Sequence, residues 1–204
     1  MNSAFFYIGL GVGLAAACGL RPFIPLLLAG ALASADDLGV HVGPHRFHFL
    51  ASSWWLLAVT AAFVLSYAAQ LLLGQSPTSE GSRPTPLAAT IEGLAYGAGA
   101  LLFAGTLAAH GDAWWPGILG GVAAAALAAR AVNPIIAGAR SRLSDRGARE
   151  ALTVYLDAAS LVVAALVALF HPLGYVAVAL FAYLLLRTRS RSGERYAGLR
   201  ILGR

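Results

Sequence analysis

The chain has 204 residues, of which 59% are hydrophobic and 11% charged, and its formal charge of +5 is carried by fourteen arginines and no lysine. Soluble domains carry about 25% charged residues, so this deficit excludes an ordinary water-soluble fold and indicates an integral membrane protein. The single cysteine, Cys18, excludes an intramolecular disulfide, and no nucleic-acid-binding motif accompanies the arginines, whose excess reads as a topology signal.

Six apolar segments can be drawn in chain order. The first runs from about Ser3 to Ala33 and is interrupted by Gly19-Leu20-Arg21-Pro22. As one helix it would be roughly 45 Å long against a hydrocarbon core of ~30 Å, so it must tilt, kink or split into a span and a half-helix. Ala15-Ala16-Ala17-Cys18 resembles a lipoprotein cleavage box. The start lacks a basic n-region and apolar sequence continues past the cysteine, so a retained helix is expected. A polar loop with Asp36, Asp37, His41, His45, Arg46 and His48 follows. The histidines read as a solvated loop, since coordination needs a preorganised ligand set.

Segment two, about Ser52 to Leu73, opens on Trp54-Trp55, an interfacial anchor. A Ser/Pro/Gly linker holding Glu80 and Arg83 leads to segment three, Leu87 to Ala109. Its Gly93, Gly97, Gly99 and Gly105 are suited to close helix approach in lipid. Trp114-Trp115-Pro116 marks another interface before segment four, Gly117 to Ala139, which carries Arg130 and Asn133-Pro134. After a basic loop, segment five spans about Ala151 to Phe170 with Asp157 inside, and His171-Pro172 turns the chain into segment six, Leu173 to Leu186.

Six spans place both termini on one side, together with Arg83, the arginines from Arg140 to Arg149 and those from Arg187 onward; the other side holds Arg46. The positive-inside rule then puts both termini in the cytoplasm. Sliding the chain by 112 residues aligns Pro22 with Pro134 and Gly9 with Gly121. Each X-Pro break is followed by two further spans, the pattern of inverted repeats in secondary transporters. The expected fold is therefore an all-α polytopic membrane helix bundle of about six transmembrane helices in two inverted three-helix repeats. Residues 1–204 form one membrane domain, with repeat one at about 3–110, repeat two at about 115–187 and a basic cytoplasmic tail at 188–204.

Counting from the segment ends puts Glu92, Arg130 and Asp157 roughly 8 to 14 Å below the cytoplasmic surface, with Ser66, Tyr67, Gln70, Tyr96, Asn133 and Tyr155 near the same layer. Charges in lipid are expensive, so Arg130 is expected to pair with Glu92 or Asp157. That layer reads as a polar pocket for an anionic group, or as a closed ion pair that fixes helix register. Arg21 falls in the outer half, either as an opposite gate or as an interfacial arginine ending a shorter span.

The run Gly19-Leu20-Arg21-Pro22-Phe23-Ile24-Pro25-Leu26-Leu27-Leu28 resembles a prokaryotic membrane family described only as a domain of unknown function, with Gly-x-x-Pro-x-x-x-Leu-Leu in its first helix. The likeness extends over most of the chain, including Gly97-Ala98-Gly99-Ala100 and Asn133-Pro134. The resemblance implies an acidic pair late in the second helix, where this chain has Ser66-Tyr67-Ala68-Ala69-Gln70 instead, and an acidic position in the fifth helix, present as Asp157. The missing pair removes any ion-coupling role it would serve.

No nucleophile elbow, phosphate-binding glycine loop or His-Glu-x-x-His pair occurs, so no enzyme, cofactor or metal is expected. The leading expectation is a small transporter or channel in a prokaryotic inner membrane, for an anionic solute or lipid headgroup. Its pathway would use Arg21, Glu92, Arg130, Asn133 and Asp157, with helix breaks at Pro22 and Pro134. The alternative is a non-catalytic membrane scaffold or assembly partner that makes contacts through its glycine-rich third segment and basic tail, and a homo-oligomer is among the expected partners.

Overall fold

The computed structural model of the protein describes residues 4–35, 40–41, 47–73, 86–143 and 145–199. Asp36, Asp37, His45, Arg46, Glu80, Arg83, Arg200 and Arg204 lie outside the described residues. Among those described there are seven α-helices and no strand: α1 Ala4–Leu20, α2 Phe23–Ala35, α3 Ser53–Leu73, α4 Pro86–Ala109, α5 Trp115–Ser141, α6 Arg146–Leu169 and α7 Leu173–Leu199. A 3-10 turn, His48–Ala51, precedes α3. The fold is all-helical, and three stretches are long and apolar enough to cross a membrane: Ala88–Ala109, Trp115–Ser141 and Gly147–Leu169. Ala4–Leu20, Phe23–Ala35, Ser53–Ala69 and Leu173–Thr188 are shorter apolar helices.

The first apolar run is thus two helices. Pro22 has no N–H to continue the α1 ladder and disfavours a helical Arg21, so α1 stops at Leu20. Arg21 N still bonds Ala17 O at 3.3 Å. The buried Ser160 hydroxyl on α6 is shared between Ala17 O (3.2 Å) and Arg21 O (3.5 Å), giving the Ala17 carbonyl a second donor and supplying one to the Arg21 carbonyl at the break.

Helix α1 is the centre of the bundle, packed on α4, α5, α6 and α7. It can be central because Gly9, Gly11, Gly13 and the run Ala15 to Gly19 present little bulk and are buried throughout. A Cβ added at Gly19 would stand 2.2 Å from the Ala125 carbonyl oxygen, and one at Gly174 only 1.8 Å from that of Gly9. Both crossings are backbone against backbone. Gly99 of α4 also approaches α1 and α5, as expected of the third segment's glycines, whereas Gly93 and Gly97 face open space.

Contact pairs set the direction of each helix. The Phe103 ring lies over both Gly11 and Gly120, Gly99 sits beside Ala15 and Gly121, and Gly19 meets Ala125 and Ala128. Helices α1 and α5 therefore run the same way, with α4 opposed. Along α6, Ser160 meets Ala17 and Val167 meets Gly13, so α6 also opposes α1. Helix α2 turns back from the break: Phe23 lies against Phe63 (ring centroids 5.8 Å apart) and Gly30 against Leu56, antiparallel to α3. Together α1 and α2 make a helical hairpin whose tip is Arg21-Pro22 and whose open end points toward the α4–α5 turn.

The arrangement bears on four expectations. The first run does not pass through the bundle as one helix, because its two helices enter and leave by the same end. The α1 start lies beside the α6–α7 turn, where Tyr175 donates its hydroxyl to Phe5 O at 3.0 Å. From that turn α7 runs away along α5, with Phe181 packed among Ala124, Ala128 and Ala131. The start of α1 and the end of α7 thus lie at opposite ends of the bundle, whereas six spans lead to the expectation of both termini on one side. Inverted copies would run antiparallel, whereas α1 and α5 run together. Finally, α5 continues through Pro134. Pro134 is exposed on a 27-residue helix packed against α1, α4 and α7, so losing its one bond to the Arg130 carbonyl does not break the helix.

Candidate functional site

The hairpin tip is polar, and α6 supplies what it needs. Thr153, Asp157 and Ser160 stand at i, i+4 and i+7 on one face of α6, all buried. Arg21 Nε lies 3.0 Å from Asp157 Oδ1, with the two side chains 11% and 10% exposed. The Nε–H is not aimed at that oxygen and has no hydrogen-bond partner among the described residues, so the contact is an ion pair without a formed hydrogen bond. The second carboxylate oxygen accepts a hydrogen bond from the Tyr67 hydroxyl of α3. One aspartate thus ties the tip, α3 and α6 together.

A second arginine lies nearby. Arg140, buried in the last turn of α5, donates from Nη2 to Thr153 Oγ1 at 2.5 Å. Its Nε and Nη1 are buried with no hydrogen-bond partner among the described residues, and it feels the repulsion of Arg21 and Arg149. On the other flank of the tip, Tyr96 donates its hydroxyl to Glu92 Oε1 within α4, close enough to Arg130 to sense that charge.

A cavity of about 70 Å³ opens on that flank between Arg21, Pro22, Glu92 and Asn133, with Gly19 and Ala129 as its small-residue wall. A narrower cleft on the opposite flank of Arg21 is bordered by Ser66, Tyr67 and Asp157. Three of the expected residues, Arg21, Glu92 and Asn133, therefore share one cavity, and Asp157 joins them through Arg21. Arg130 is exposed and does not line the cavity. The expected pairing of Arg130 with Glu92 or Asp157 is not formed, because Asp157 is held by Arg21. Depth counting put Arg21 in the far half on the assumption that α1 spans the layer in full, and the hairpin removes that assumption. Tyr155 points outward and is 72% exposed, while the Gln70 side chain lies outside the description.

Sequence reasoning missed Thr153, Ser160 and Arg140. The i, i+4, i+7 spacing of Thr153, Asp157 and Ser160 in an otherwise apolar helix was the available signal. Among the described residues no group of three or more His, Cys, Asp or Glu side chains comes together to hold a metal. What the site offers chemically is guanidinium charge, one coupled carboxylate and hydroxyl donors around a small cavity.

A family model described as Domain of unknown function (DUF4126) matches residues 8–191. Neither the curated proteins nor the solved structures contain a match to the chain.

Proposed function

The chain belongs to the DUF4126 family, whose description assigns no activity, and we propose from its residues that it is a small transporter or channel for an anionic solute in a prokaryotic cytoplasmic membrane. The hairpin α1–α2 is re-entrant, and α3 to α7 cross. The end bearing Arg140, Arg142 and Arg149 faces the cytoplasm, and the end bearing Trp54, Trp114 and Trp115 sits at the outer interface. Outward-facing Leu65, Leu119 and Val162 meet lipid. On this reading the start of α1 is outside and the end of α7 inside.

The observation that carries the reading is the Arg21–Asp157 pair at the tip of a broken helix, bordering a cavity. Irregular backbone at membrane depth is tolerated where it lines such a space, and ionisable groups there mark ion pathways. The cavity and the cleft are lined by Arg21 against Glu92 and Asp157, and the nearby guanidiniums of Arg130 and Arg140 bring the balance of these five groups to one positive charge. A small anion suits that balance and a cavity with room for a few waters. Glu92 and Asn133 orient the solute, and the protein acts by passage, with no bond made or broken.

Flux of chloride, nitrate and phosphate into proteoliposomes tests this directly, with wild type beside Asn133→Leu. Asn133 is an exposed lining residue, so the variant should fold normally, fill the cavity and cut flux of the conducted anion at least ten-fold. No flux of any of the three in wild type, or equal flux in the variant, would rule the pathway out.

A further inference from the structure

The half-helix α2 leaves a second space. It packs on both α3 and α4, which scarcely touch each other, and an apolar groove of about 510 Å³ opens between them. Its walls are small by sequence: Ala58 and Ala62 on α3 face Gly93 and Gly97 on α4, and a Cβ at either glycine would meet nothing within 4 Å. From Thr90 to Leu101 the groove extends roughly 16 Å along α4. That volume lies within the range of about 300–1,000 Å³ typical of ligand sites.

The groove is not a featureless lipid-facing trough, because one end is the hairpin tip. Pro22 and Phe23 border both the groove and the cleft that holds Arg21, Ser66, Tyr67 and Asp157. The groove therefore borders a cleft lined by Arg21 and Asp157, where the buried Nε–H of Arg21 has no hydrogen-bond partner among the described residues. The polar spaces at the tip are small, about 70 and 10 Å³. They suit a compact head group and exclude a glycerophosphate carrying two chains.

We propose that this groove binds a single-chain fatty carboxylate, its alkyl chain between α3 and α4 and its carboxylate at Arg21. The inference rests on the reading of the tip as an anion site and names the class of anion. Asp157 occupies one edge of the guanidinium, and the ligand carboxylate accepts from the remaining N–H donors, of which the fork carries five in all. Burial of the chain against Gly93, Gly97 and Ala62 supplies affinity that a bare inorganic anion lacks.

Binding of radiolabelled laurate to the full chain in nanodiscs tests the proposal, with Gly97→Leu and Gly93→Leu beside wild type. Both substitutions project into open space and replace glycine in a helix, so both variants should fold. Saturable laurate binding in wild type, weakened at least ten-fold in both variants while inorganic-anion flux persists, is the expected result. Absence of laurate binding with flux intact would overturn the fatty-acid inference and leave the tip reading standing; absence of both would remove the two together. Unchanged laurate binding in the variants would place the chain elsewhere. Loss of a dimer in the variants without laurate binding would make the groove a helix interface and overturn the proposal.

Discussion

Two tyrosine–aspartate contacts hold opposite ends of this bundle, and they differ in what surrounds them. At the tip, Tyr67 donates to Asp157, whose other oxygen faces Arg21 in a nearly closed setting. At the aromatic end, Tyr7 donates to the exposed Asp112, and its ring stacks on His110 at 4.2 Å. The bonding groups are the same. Water can replace the partner at Asp112, whereas at Asp157 removing the partner leaves a guanidinium in an apolar interior. Burial, and not bond type, makes one contact an organising centre and the other a surface staple that fixes the start of α1 to the α4–α5 turn.

The contrast is broken most severely at Asp157. Asp157→Asn strips Arg21 of its countercharge and should lower stability by about 3 kcal/mol, read as the denaturant midpoint in mild detergent. The double variant Arg21→Gln with Asp157→Asn should recover much of that loss, since neither member of the pair is left as an uncompensated charge. If the double variant falls as far as the sum of the two single ones, the pair is not coupled. Tyr67→Phe comes next, at about 1 kcal/mol, because it removes one hydrogen bond to a charged acceptor but leaves the ion pair. Tyr7→Phe is the smallest and should leave the unfolding midpoint unchanged. A Tyr7→Phe loss as large as that of Tyr67→Phe would erase the distinction between the ends.

Much of this was legible in the sequence. Composition gave the helical membrane class, and the proline at Pro22 marked the break. Asp157 stood out as a charge inside an apolar segment, and tryptophans and arginines separated into two ends. The hairpin was not legible. An apolar run of thirty residues has the same pattern whether it crosses once or doubles back, because hydrophobicity records burial and not direction. The two X-Pro pairs illustrate the limit. At Pro22 the preceding arginine finds Asp157 and Ser160 offers a hydroxyl to the Ala17 and Arg21 carbonyls, so the chain turns. At Pro134 neighbouring helices support the flanking turns and α5 continues. The difference lies in residues far away in sequence, and local propensity does not contain it.

Cysteine labelling of α1 and α2 tests the central claim, that the first apolar run is a hairpin entering from one face. Phe5→Cys, Ser34→Cys and Ser141→Cys would be placed singly in a Cys18→Ala background and exposed to a membrane-impermeant maleimide in intact cells. The hairpin requires positions 5 and 34 to label from the same side, with position 141 labelling only after permeabilisation. Labelling of 5 and 34 from opposite sides would make the run a single crossing and contradict the account.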